Sequence, residues 1–268
     1  MPASGSERFD RVWLALRQEA AALCEREPAL VSYLHAAILN HSRFEDALSF
    51  HLAKKIGGKF LSPMQAREFI QESLKNDPQI VIAAQADLMA ILERNPACRS
   101  YLEAFLFYKG FYALEIHRTA HWFWTHKRPA IALLMQSRIS RLFAVDIHPG
   151  ARIGKGVMID HASGVVIGET AVVEDDVSIL HAVTLGGTGK QTGDRHPKIR
   201  QGVLLSVGAT VLGNIEIGKQ SRVGAGSVVL TPVPPDCSAV GVPARIIARS
   251  DSVPPSQSMD HVGEIPGP

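Results

Sequence analysis

The sequence has few cysteines, no CxxC pair and no long apolar run. Its 268 residues include three scattered cysteines, Cys24, Cys98 and Cys237. An odd, scattered set excludes a disulfide framework and is typical of proteins in a reducing compartment. No apolar stretch approaches the roughly 20 residues that a membrane-spanning helix requires. The first residues are polar and lack the apolar core of a secretory signal, so the sequence predicts a cytoplasmic protein.

An excess of charge of either sign is also lacking. The chain has 28 basic and 26 acidic residues, and no half of it carries a long run of one sign. A balanced charge does not favour nucleic acid or a membrane surface as a partner. The length is sufficient for one large domain or for two modest ones, each with its own core.

Residues 1–142 carry helical periodicity. An apolar stripe from Phe9 to Leu23 recurs with the 3.6-residue spacing of an amphipathic helix. Gly57-Gly58 has the composition of a helix end. Four sites have the sequence of a helix start with an N-cap: Ser42–Glu45, Ser62-Pro63, Asp77-Pro78 and Asn95-Pro96. Short connections between these helices predict an α-helical bundle domain.

After residue 142 the period changes from 3.6 to six. Aliphatic residues recur at every sixth position from Ile147 to Val183, with Ala171 in one place, and again from Ile199 to Val229. A short fixed period indicates stacked coils that bury their aliphatic residues against one another. The predicted fold class is therefore α+β: a helical bundle over 1–142, then a left-handed parallel β-helix of hexapeptide repeats over 143–248. The Ser/Pro-rich residues 249–268 are predicted to be a flexible tail.

A polar loop interrupts the hexapeptide repeat. Val183 and Ile199 are 16 residues apart, where 18 would keep the repeat in phase, and the interval is rich in glycine. The loop adds nothing to the core of a solenoid, so it is a candidate for function.

Two of the four solenoid histidines have unusual neighbours. Most histidines in repeat proteins are solvated corner residues, and His148 and His181 have no feature that argues otherwise. His161 follows Asp160 in a hexad where a small residue is usual, and His196 follows Arg195 in the polar loop.

Asp146 precedes His161 by 15 residues, slightly less than one coil of about 18. Its carboxylate could orient the imidazole of His161 or could cap a corner or the preceding helix. The spacing leaves both interpretations open.

Six motifs resemble those of serine acetyltransferases, a family within the hexapeptide-repeat acyltransferases. The resemblance extends from about residue 10 to residue 248. It is carried by Asp146-Ile-His-Pro, Asp160-His-Ala-Ser-Gly, Val166-Ile-Gly-Glu-Thr-Ala, Val183-Thr-Leu-Gly-Gly-Thr-Gly-Lys, Gly193-Asp-Arg-His-Pro-Lys and Gly241-Val-Pro-Ala-Arg.

The resemblance implies an acyltransferase that moves an acetyl group from acetyl-CoA to the hydroxyl of L-serine, giving O-acetylserine and CoA in cysteine biosynthesis. It implies that His161 is the general base and that Asp146 orients it. It also implies that Asp160, Arg195 and His196 hold serine, with the guanidinium suited to the carboxylate.

The same resemblance implies a CoA site, an assembly and a regulator. Gly187, Thr188, Arg222 and Ala225 match positions along acetyl-CoA, and no metal is expected. The family forms trimers, with active sites between subunits, and pairs of trimers, so we expect a homo-hexamer. L-cysteine is the expected feedback inhibitor. The family binds O-acetylserine sulfhydrylase through a C-terminal isoleucine, whereas this chain ends in Pro268, so that partnership is not expected.

Asn95 is a departure from the family pattern. The family carries aspartate in an Asp-Pro-Ala run, where this chain has Asn95-Pro96-Ala97, and the aspartate resembles a residue that reaches the substrate amino group. Asparagine keeps the oxygen but lacks the charge, which predicts weaker binding of serine and cysteine. As a helix cap the two residue types are nearly equivalent, which predicts no functional change.

Two other enzyme classes use a similar solenoid. Hexapeptide-repeat acyltransferases for sugars or antibiotics lack a helical first half. Carbonic anhydrases with a left-handed β-helix require three histidine ligands, two of them close together. The solenoid histidines here are separated by 13, 20 and 15 residues, which does not match that pattern.

Overall fold

The computed structural model describes residues 5–189, 192–248 and 253–261, which form a helical domain followed by a parallel β-solenoid, as predicted. A 3₁₀ turn (Pro28–Leu30) precedes the short helix Val31–Leu34, and a π-helical turn (His35–Leu39) follows it. No helix in these ranges is long and apolar enough to cross a bilayer. The helices are α1 (Gly5–Arg26), α2 (Val31–Leu34), α3 (Phe44–Ile56), α4 (Pro63–Asn76), α5 (Pro78–Arg94), α6 (Tyr101–Phe107), α7 (Lys109–Thr125), α8 (Pro129–Phe143) and α9 (Pro255–Ser258).

The predicted helix starts at Ser62 and Asp77 are confirmed. The Ser62 hydroxyl accepts a hydrogen bond from the Gln65 amide (3.2 Å), and the Gln65 side chain accepts one from the Ser62 amide, which completes a capping box. The Asp77 carboxylate accepts from the Gln79 amide at 3.0 Å. Proline occupies the first position of both helices, where its missing amide proton costs nothing.

The other two predicted starts are wrong. At α3 the cap residue is Arg43, and no side chain caps the helix; Arg43 pairs with Glu45 at 2.9 Å, so the carboxylate required for a capping box is engaged elsewhere. Asn95 lies at the C-terminal end of α5, and α6 begins six residues later with Ser100 as its cap. The Asn95 side-chain oxygen accepts from the Ala97 amide at 2.9 Å, so Asn95 stabilises a turn between the two helices instead of starting the second one.

Three parallel sheets form the faces of the solenoid, in about five turns. The first sheet has the order β1-β4-β7-β10-β13 and the second β2-β5-β8-β11. The third is β3-β6-β9-β12-β14-β15, with only its last pair antiparallel. The strands are β1 (Val145–Ile147), β2 (Arg152–Ile153), β3 (Met158–Ile159), β4 (Val165–Ile167), β5 (Val172–Val173), β6 (Ser178–Ile179), β7 (Thr184–Gly186), β8 (Lys198–Ile199), β9 (Leu204–Leu205), β10 (Thr210–Leu212), β11 (Glu216–Ile217), β12 (Arg222–Val223), β13 (Val228–Val229), β14 (Cys237–Gly241) and β15 (Ala244–Ala248).

The first coil is longer than the regular coils. Ile159 pairs with Ile179, 20 residues later, whereas Ile199 pairs with Ile217, only 18 residues later. The two extra residues lie in the turn 160–164, between β3 and β4. The sequence prediction of hexads in constant phase is therefore wrong at this turn. The sequence does not reveal this change of phase, because β4 buries two aliphatic residues, Val165 and Ile167. Either of them can be counted as the repeat position.

A buried ion pair joins the helical domain to the solenoid. The Asp87 carboxylate on α5 accepts from the Val157 amide at 2.7 Å and from the guanidinium of Arg118 on α7. Arg118 also donates to the carbonyls of Ile153 (3.0 Å) and Gly154 (2.7 Å). Because both charges are buried and also bind solenoid backbone, they fix the position of the first coil against α5 and α7.

The N-terminus of α7 lies directly against the strand that leads into the long turn. A Cβ atom at Gly110 would lie 1.9 Å from the Ile159 carbonyl oxygen, so only glycine allows this approach. The helical domain therefore contacts the solenoid immediately before residues 160–164.

Part of the predicted flexible tail packs against the third sheet. Residues 253–261 include α9, and Pro255 and Ser256 are buried. The Ser178 hydroxyl donates to the Ser256 carbonyl at 2.8 Å, and Arg222 donates to the Asp260 carboxylate at 3.1 Å. Ser/Pro-rich composition gave no information on these contacts with a distant sheet, and the flexibility of the tail stays a prediction. The rest of 249–268 lies outside the described residues.

Candidate active site

The long turn of the first coil places His161 at the surface. His161 and Ala162 have φ values of +56° and +62°, a region that residues other than glycine seldom adopt. The Asp160 carboxylate accepts from the His161 amide at 3.0 Å and stabilises the turn. The His161 side chain is 71% exposed. Strained backbone that presents an exposed imidazole is typical of a functional site.

Two side chains lie beside the His161 ring. An Asp160 carboxylate oxygen is 3.5 Å from His161 Nε2. The ring of His181, on the next coil, meets it edge to face, with ring centroids 5.6 Å apart and an interplanar angle of 82°. Opposite charges at this distance attract, so this carboxylate can stabilise an imidazolium formed during a reaction. The chain therefore places a base beside a group that can stabilise its conjugate acid.

Asn95 reaches the same site from the helical domain. Its Nδ2 donates to the Asp160 carboxylate at 3.0 Å, and its Oδ1 accepts from the Ala97 amide at 2.9 Å. The structure thus brings Asn95, Asp160 and His161 together. The Asn95 oxygen stabilises its own turn, and its amide nitrogen faces Asp160.

Asp146 lies apart from His161 within one chain. Its carboxylate accepts from Gln136 Nε2 at 2.7 Å, and its register partner on β4 is Val166, five residues after His161. The expected similarity of angular position assumed an 18-residue coil, whereas this coil has 20. The orienting role of Asp146 therefore stays a prediction.

Arg195 and His196 form a second cluster, held by Glu169 and Thr170. The Arg195 guanidinium pairs with Glu169 at 2.8 Å, and this bond holds the pKa of the Glu169 carboxyl below its usual value. Thr170 Oγ1 accepts from the amides of both Arg195 (3.0 Å) and His196 (3.1 Å). The polar loop is therefore anchored to the coil beneath it at the residues predicted to bind serine.

His196 is held in one tautomer. Its Nδ1 accepts from the Thr170 amide at 3.2 Å, so in the neutral ring the proton is on Nε2. Burial, followed by the nearby charge of Arg195, lowers the pKa of His196. The ring packs so closely on the backbone that a Cβ at Gly168 would lie 2.1 Å from Nε2. His196 is therefore a fixed neutral donor.

The two clusters do not meet within one chain. The side chains of Asn95, Asp160 and His161 make hydrogen bonds and ring contacts with one another, with the Ala97 amide and with His181. Arg195 and His196 bind Gly193, Glu169 and Thr170 and pack beside Gly168 and Gly187, in the turn that follows β4, whereas His161 lies in the turn that precedes it. One chain therefore carries two half-sites.

The predicted acetyl-CoA residues occupy different environments. Gly187 lies beside His196: a Cβ there would be 3.6 Å from Nε2. Thr188 contacts the turn at Gly213, and Ala225 is exposed in the turn between β12 and β13. Arg222 is buried, donating to Ser238 at 3.0 Å and to Asp260. Its guanidinium thus binds the segment 253–261, a contact that the sequence did not predict.

Sequence reasoning missed four residues of these clusters. Glu169 and Thr170 hold the polar loop, Lys109 Nζ donates to the Ser163 hydroxyl, and the His181 ring meets His161 edge to face. A signal existed for Glu169 and Thr170, which lie in the motif Val166-Ile-Gly-Glu-Thr-Ala. The position of His181 over His161 depends on the 20-residue length of the coil, which the sequence does not reveal. Across the ranges 5–189, 192–248 and 253–261, no group of three or more His, Cys, Asp or Glu side chains is placed to hold a metal ion.

Sequence comparison links the chain to known enzymes. A family profile described as "Serine acetyltransferase, N-terminal" matches residues 12–116. A serine acetyltransferase of Salmonella typhimurium is 49% identical over 254 residues, which cover 95% of this chain and 93% of that protein.

Solved structures with the same name are similar over nearly the whole chain. A serine acetyltransferase in complex with cysteine has a TM-score of 0.93 at 46% identity and covers 95% of this chain and 99% of its own. The soybean enzyme complexed with serine has a TM-score of 0.87 at 53% identity, covering 92% and 100%. The Brucella abortus enzyme in complex with coenzyme A has a TM-score of 0.89 at 45% identity, covering 92% and 99%.

Proposed function

This chain belongs to the serine acetyltransferase family and transfers an acetyl group from acetyl-CoA to L-serine, and we propose that His161 is the general base of that reaction. The observation that supports this role is the exposed imidazole of His161 with the Asp160 carboxylate 3.5 Å from its Nε2. An alcohol is a weak nucleophile at neutral pH, and a positioned base contributes about 10²–10⁴-fold to the rate.

The proposed reaction is a direct attack on the thioester. His161 accepts the proton of the serine hydroxyl as the serine oxygen bonds to the thioester carbonyl carbon. The tetrahedral intermediate then breaks its carbon–sulfur bond, and the departing CoA thiolate takes the proton from the His161 imidazolium. Asp160 stabilises that imidazolium, since opposite charges at this distance favour the charged form. Asp146 as a further orienting carboxylate remains a prediction.

Serine is proposed to lie between the two clusters. The Asp160 carboxylate, with Asn95 beside it, suits the substrate ammonium, and Arg195 and the Nε2–H of His196 suit its carboxylate. Glu169 now engages Arg195, so the substrate carboxylate would compete with that side chain. Cysteine carries the same ammonium and carboxylate and is proposed to bind the same groups as an inhibitor, as a relative has been solved in complex with cysteine.

Acetyl-CoA is proposed to run along Gly187, Thr188 and Ala225 towards Arg222. Gly187 and Thr188 lie in the first part of the polar loop, and Gly187 adjoins His196. Arg222 is the predicted basic residue near the CoA tail, but it now binds Asp260. A phosphate group would therefore have to replace that carboxylate.

Because the two half-sites lie apart in one chain, we propose that each active site is shared by neighbouring subunits of a trimer, and that two trimers form a hexamer. Light scattering at micromolar concentration should give a homo-hexamer, and a monomer would contradict the shared site. A cytoplasmic location and the absence of a sulfhydrylase complex remain predictions; residues 262–268 lie outside the described ranges.

Acceptor specificity tests the function itself. CoA release should be rapid with L-serine and slow with homoserine and with sugar acceptors. Comparable rates with a sugar would contradict the proposed serine site.

Subunit complementation tests the shared site. Arg195→Ala and His161→Ala chains, each nearly inactive alone, should recover about a quarter of wild-type activity when co-expressed, because random cyclic assembly pairs an intact half of each kind at that frequency. Co-expression of His161→Ala with the double variant is the control and should stay inactive. A mixture no more active than its components would show that the site lies within one chain.

A further inference from the structure

Thr170 attaches the end of the polar loop to the coil beneath it. Its hydroxyl oxygen accepts hydrogen bonds from the amides of Arg195 (3.0 Å) and His196 (3.1 Å). Its backbone carbonyl accepts one from Lys198 Nζ at 2.9 Å, and the same ammonium donates to the His196 carbonyl at 2.8 Å. Both ends of the short segment 195–198 therefore depend on one residue of the turn that follows β4.

The hydroxyl group of Thr170 also determines the tautomer of His196. A hydroxyl has two lone pairs and one hydrogen, and the two loop amides occupy both lone pairs. His196 Nδ1 lies 2.9 Å from the hydroxyl oxygen. The Asp194 carboxylate also lies near this hydroxyl, but Lys198 (2.5 Å) and Asn214 (3.3 Å) already donate to it. The hydroxyl hydrogen is therefore assigned to Nδ1, which leaves the proton of the neutral ring on Nε2.

These contacts determine which donors the second cluster presents to a substrate. With both amides bound to Thr170, the side chains of Arg195 and His196 start from a fixed backbone. The guanidinium of Arg195 and the Nε2–H of His196 are then the two donors of this half-site. Such donors suit a carboxylate, and neither of them suits an ammonium group. A shift of this backbone would therefore weaken recognition of the substrate carboxylate more than of any other substrate group.

We propose that Thr170 is a positioning residue that makes the acceptor site selective for a substrate with a free carboxylate. It acts through Arg195 and His196, because its hydroxyl fixes the backbone of both and the tautomer of the second. This inference rests on the proposed serine site and deepens it. A threonine that only stabilised the solenoid would affect acceptors with and without a carboxylate equally.

Two acceptors separate these roles. L-Serinamide keeps the ammonium and the hydroxyl of L-serine but replaces the carboxylate by a neutral amide. Thr170→Val keeps the shape of the side chain and removes its hydroxyl, so two loop amides lose their acceptor. We expect kcat/KM for serine to fall about tenfold, mainly through a higher KM. In the same assay, kcat/KM for serinamide should change by less than about twofold. Equal losses for the two acceptors would overturn the proposal.

Three further variants control this experiment. Thr170→Ser restores the hydroxyl and should recover most of the loss with serine. Thr170→Ala removes the hydroxyl without a bulky replacement and provides the same comparison if Thr170→Val does not fold. Thr125→Val is the matched control, because the Thr125 hydroxyl donates to the Trp122 carbonyl at 2.9 Å at the end of α7. It should change neither rate by more than about twofold. No recovery in a folded Thr170→Ser enzyme would also overturn the proposal.

The proposed serine site fails by a different result. A wild-type enzyme that acetylates serinamide as efficiently as serine would show that no carboxylate site exists. A wild type that prefers serine, with equal losses for both acceptors in Thr170→Val, would keep the serine site and refute the role of Thr170. Melting temperatures of all variants confirm that each is folded.

Discussion

The helical domain and the turns of the solenoid use ionisable side chains in opposite ways. At the joint, Asp87 and Arg118 are buried, and every contact they make is inside the protein. At the long turn, Asp160 contacts both His161 and Asn95, and the imidazole of His161 is exposed. The same residue types therefore stabilise the fold in one region and remain available for proton exchange in the other.

The difference follows from the cost of taking a charge out of water. Burial raises the pKa of Glu115, next to Arg118, well above its usual value, because water no longer stabilises the charged carboxylate. A group held in one protonation state cannot act as a general base at neutral pH. The imidazole of His161, in contrast, is 71% exposed and can be reached by a substrate.

Breaking the joint should have the largest effect. Arg118→Met leaves the Asp87 carboxylate buried without its partner, so we expect the free energy of unfolding to fall by about 3–5 kcal/mol. Arg200→Met is the matched control, because Arg200 pairs with Glu174 and Glu216 at the surface, and exposed pairs contribute about 1 kcal/mol or less. Urea unfolding at one protein concentration measures both. Equal losses would contradict the contrast between the two regions.

Removing the exposed base should act on turnover and leave stability unchanged. His161→Ala is expected to lower kcat by at least about 10²-fold, with a change in unfolding free energy within about 0.5 kcal/mol. Asp146→Asn should lower kcat less, because water or a neighbouring group can partly orient the ring. His35→Ala, which removes an exposed histidine of the helical domain, is the control for both measurements. A folded His161→Ala enzyme with near-wild-type turnover would contradict the proposed mechanism.

Local signals in the sequence predicted the fold well, and signals that depend on distant contacts did not. Ser62 and Asp77 cap their helices because the partners lie two or three residues away. Ser42 does not, because Arg43 engages the carboxylate of Glu45. The solenoid follows from its period, but the two extra residues before Val165 could not be counted from a sequence in which both inward positions are aliphatic.

The candidate site was predictable residue by residue but not as a geometry. The motifs identified His161, Asp160, Arg195 and His196, and the structure divides them into two clusters of one chain. No periodicity indicates that Glu169 would hold Arg195, because the loop returns over its own coil.

Asn95 connects the helical domain to the long turn of the solenoid. Its substitution tests whether a charge at this position changes ligand binding. Asn95→Asp would place a second carboxylate beside Asp160, where Nδ2 now donates at 3.0 Å. A substrate ammonium would relieve that repulsion and gain a charge-assisted bond worth about 1 kcal/mol or somewhat more. We expect the serine KM and the cysteine inhibition constant to tighten together, by roughly five- to tenfold.

The two ligands serve as controls for each other in that experiment. Serine and cysteine share the ammonium and the carboxylate, so an effect on one alone would not come from the ammonium. If neither constant moves and only the melting temperature changes, Asn95 acts through its turn with Ala97, and the substrate role is wrong.

The smallest expected effect is a pH dependence of the unfolding free energy that arises from a buried histidine. This residue contrasts with the exposed His161. His51 on α3 is 3% exposed and packs against Phe105 and Tyr112. Burial, followed by the nearby charge of Lys55, lowers its pKa from the ordinary 6.5 to about 3. Between these values the unfolded chain binds a proton that the folded chain does not. The stabilisation is therefore complete above about pH 6.5 and is lost as the pH falls towards 3.

His51→Leu tests that contribution. Lowering the pH from 7.5 to 6.0 should reduce the unfolding free energy of the wild type by up to about 1 kcal/mol more than that of the variant, because only the unfolded wild-type chain gains a proton at this position. His35→Leu, at an exposed position, should behave as the wild type does over the same range. If the wild type and His51→Leu lose stability in parallel, His51 gains its proton over the same pH range in the folded and the unfolded chain. In that case burial does not separate the histidines of the helical domain from His161, and the difference between the two regions would rest on the Asp87–Arg118 pair alone.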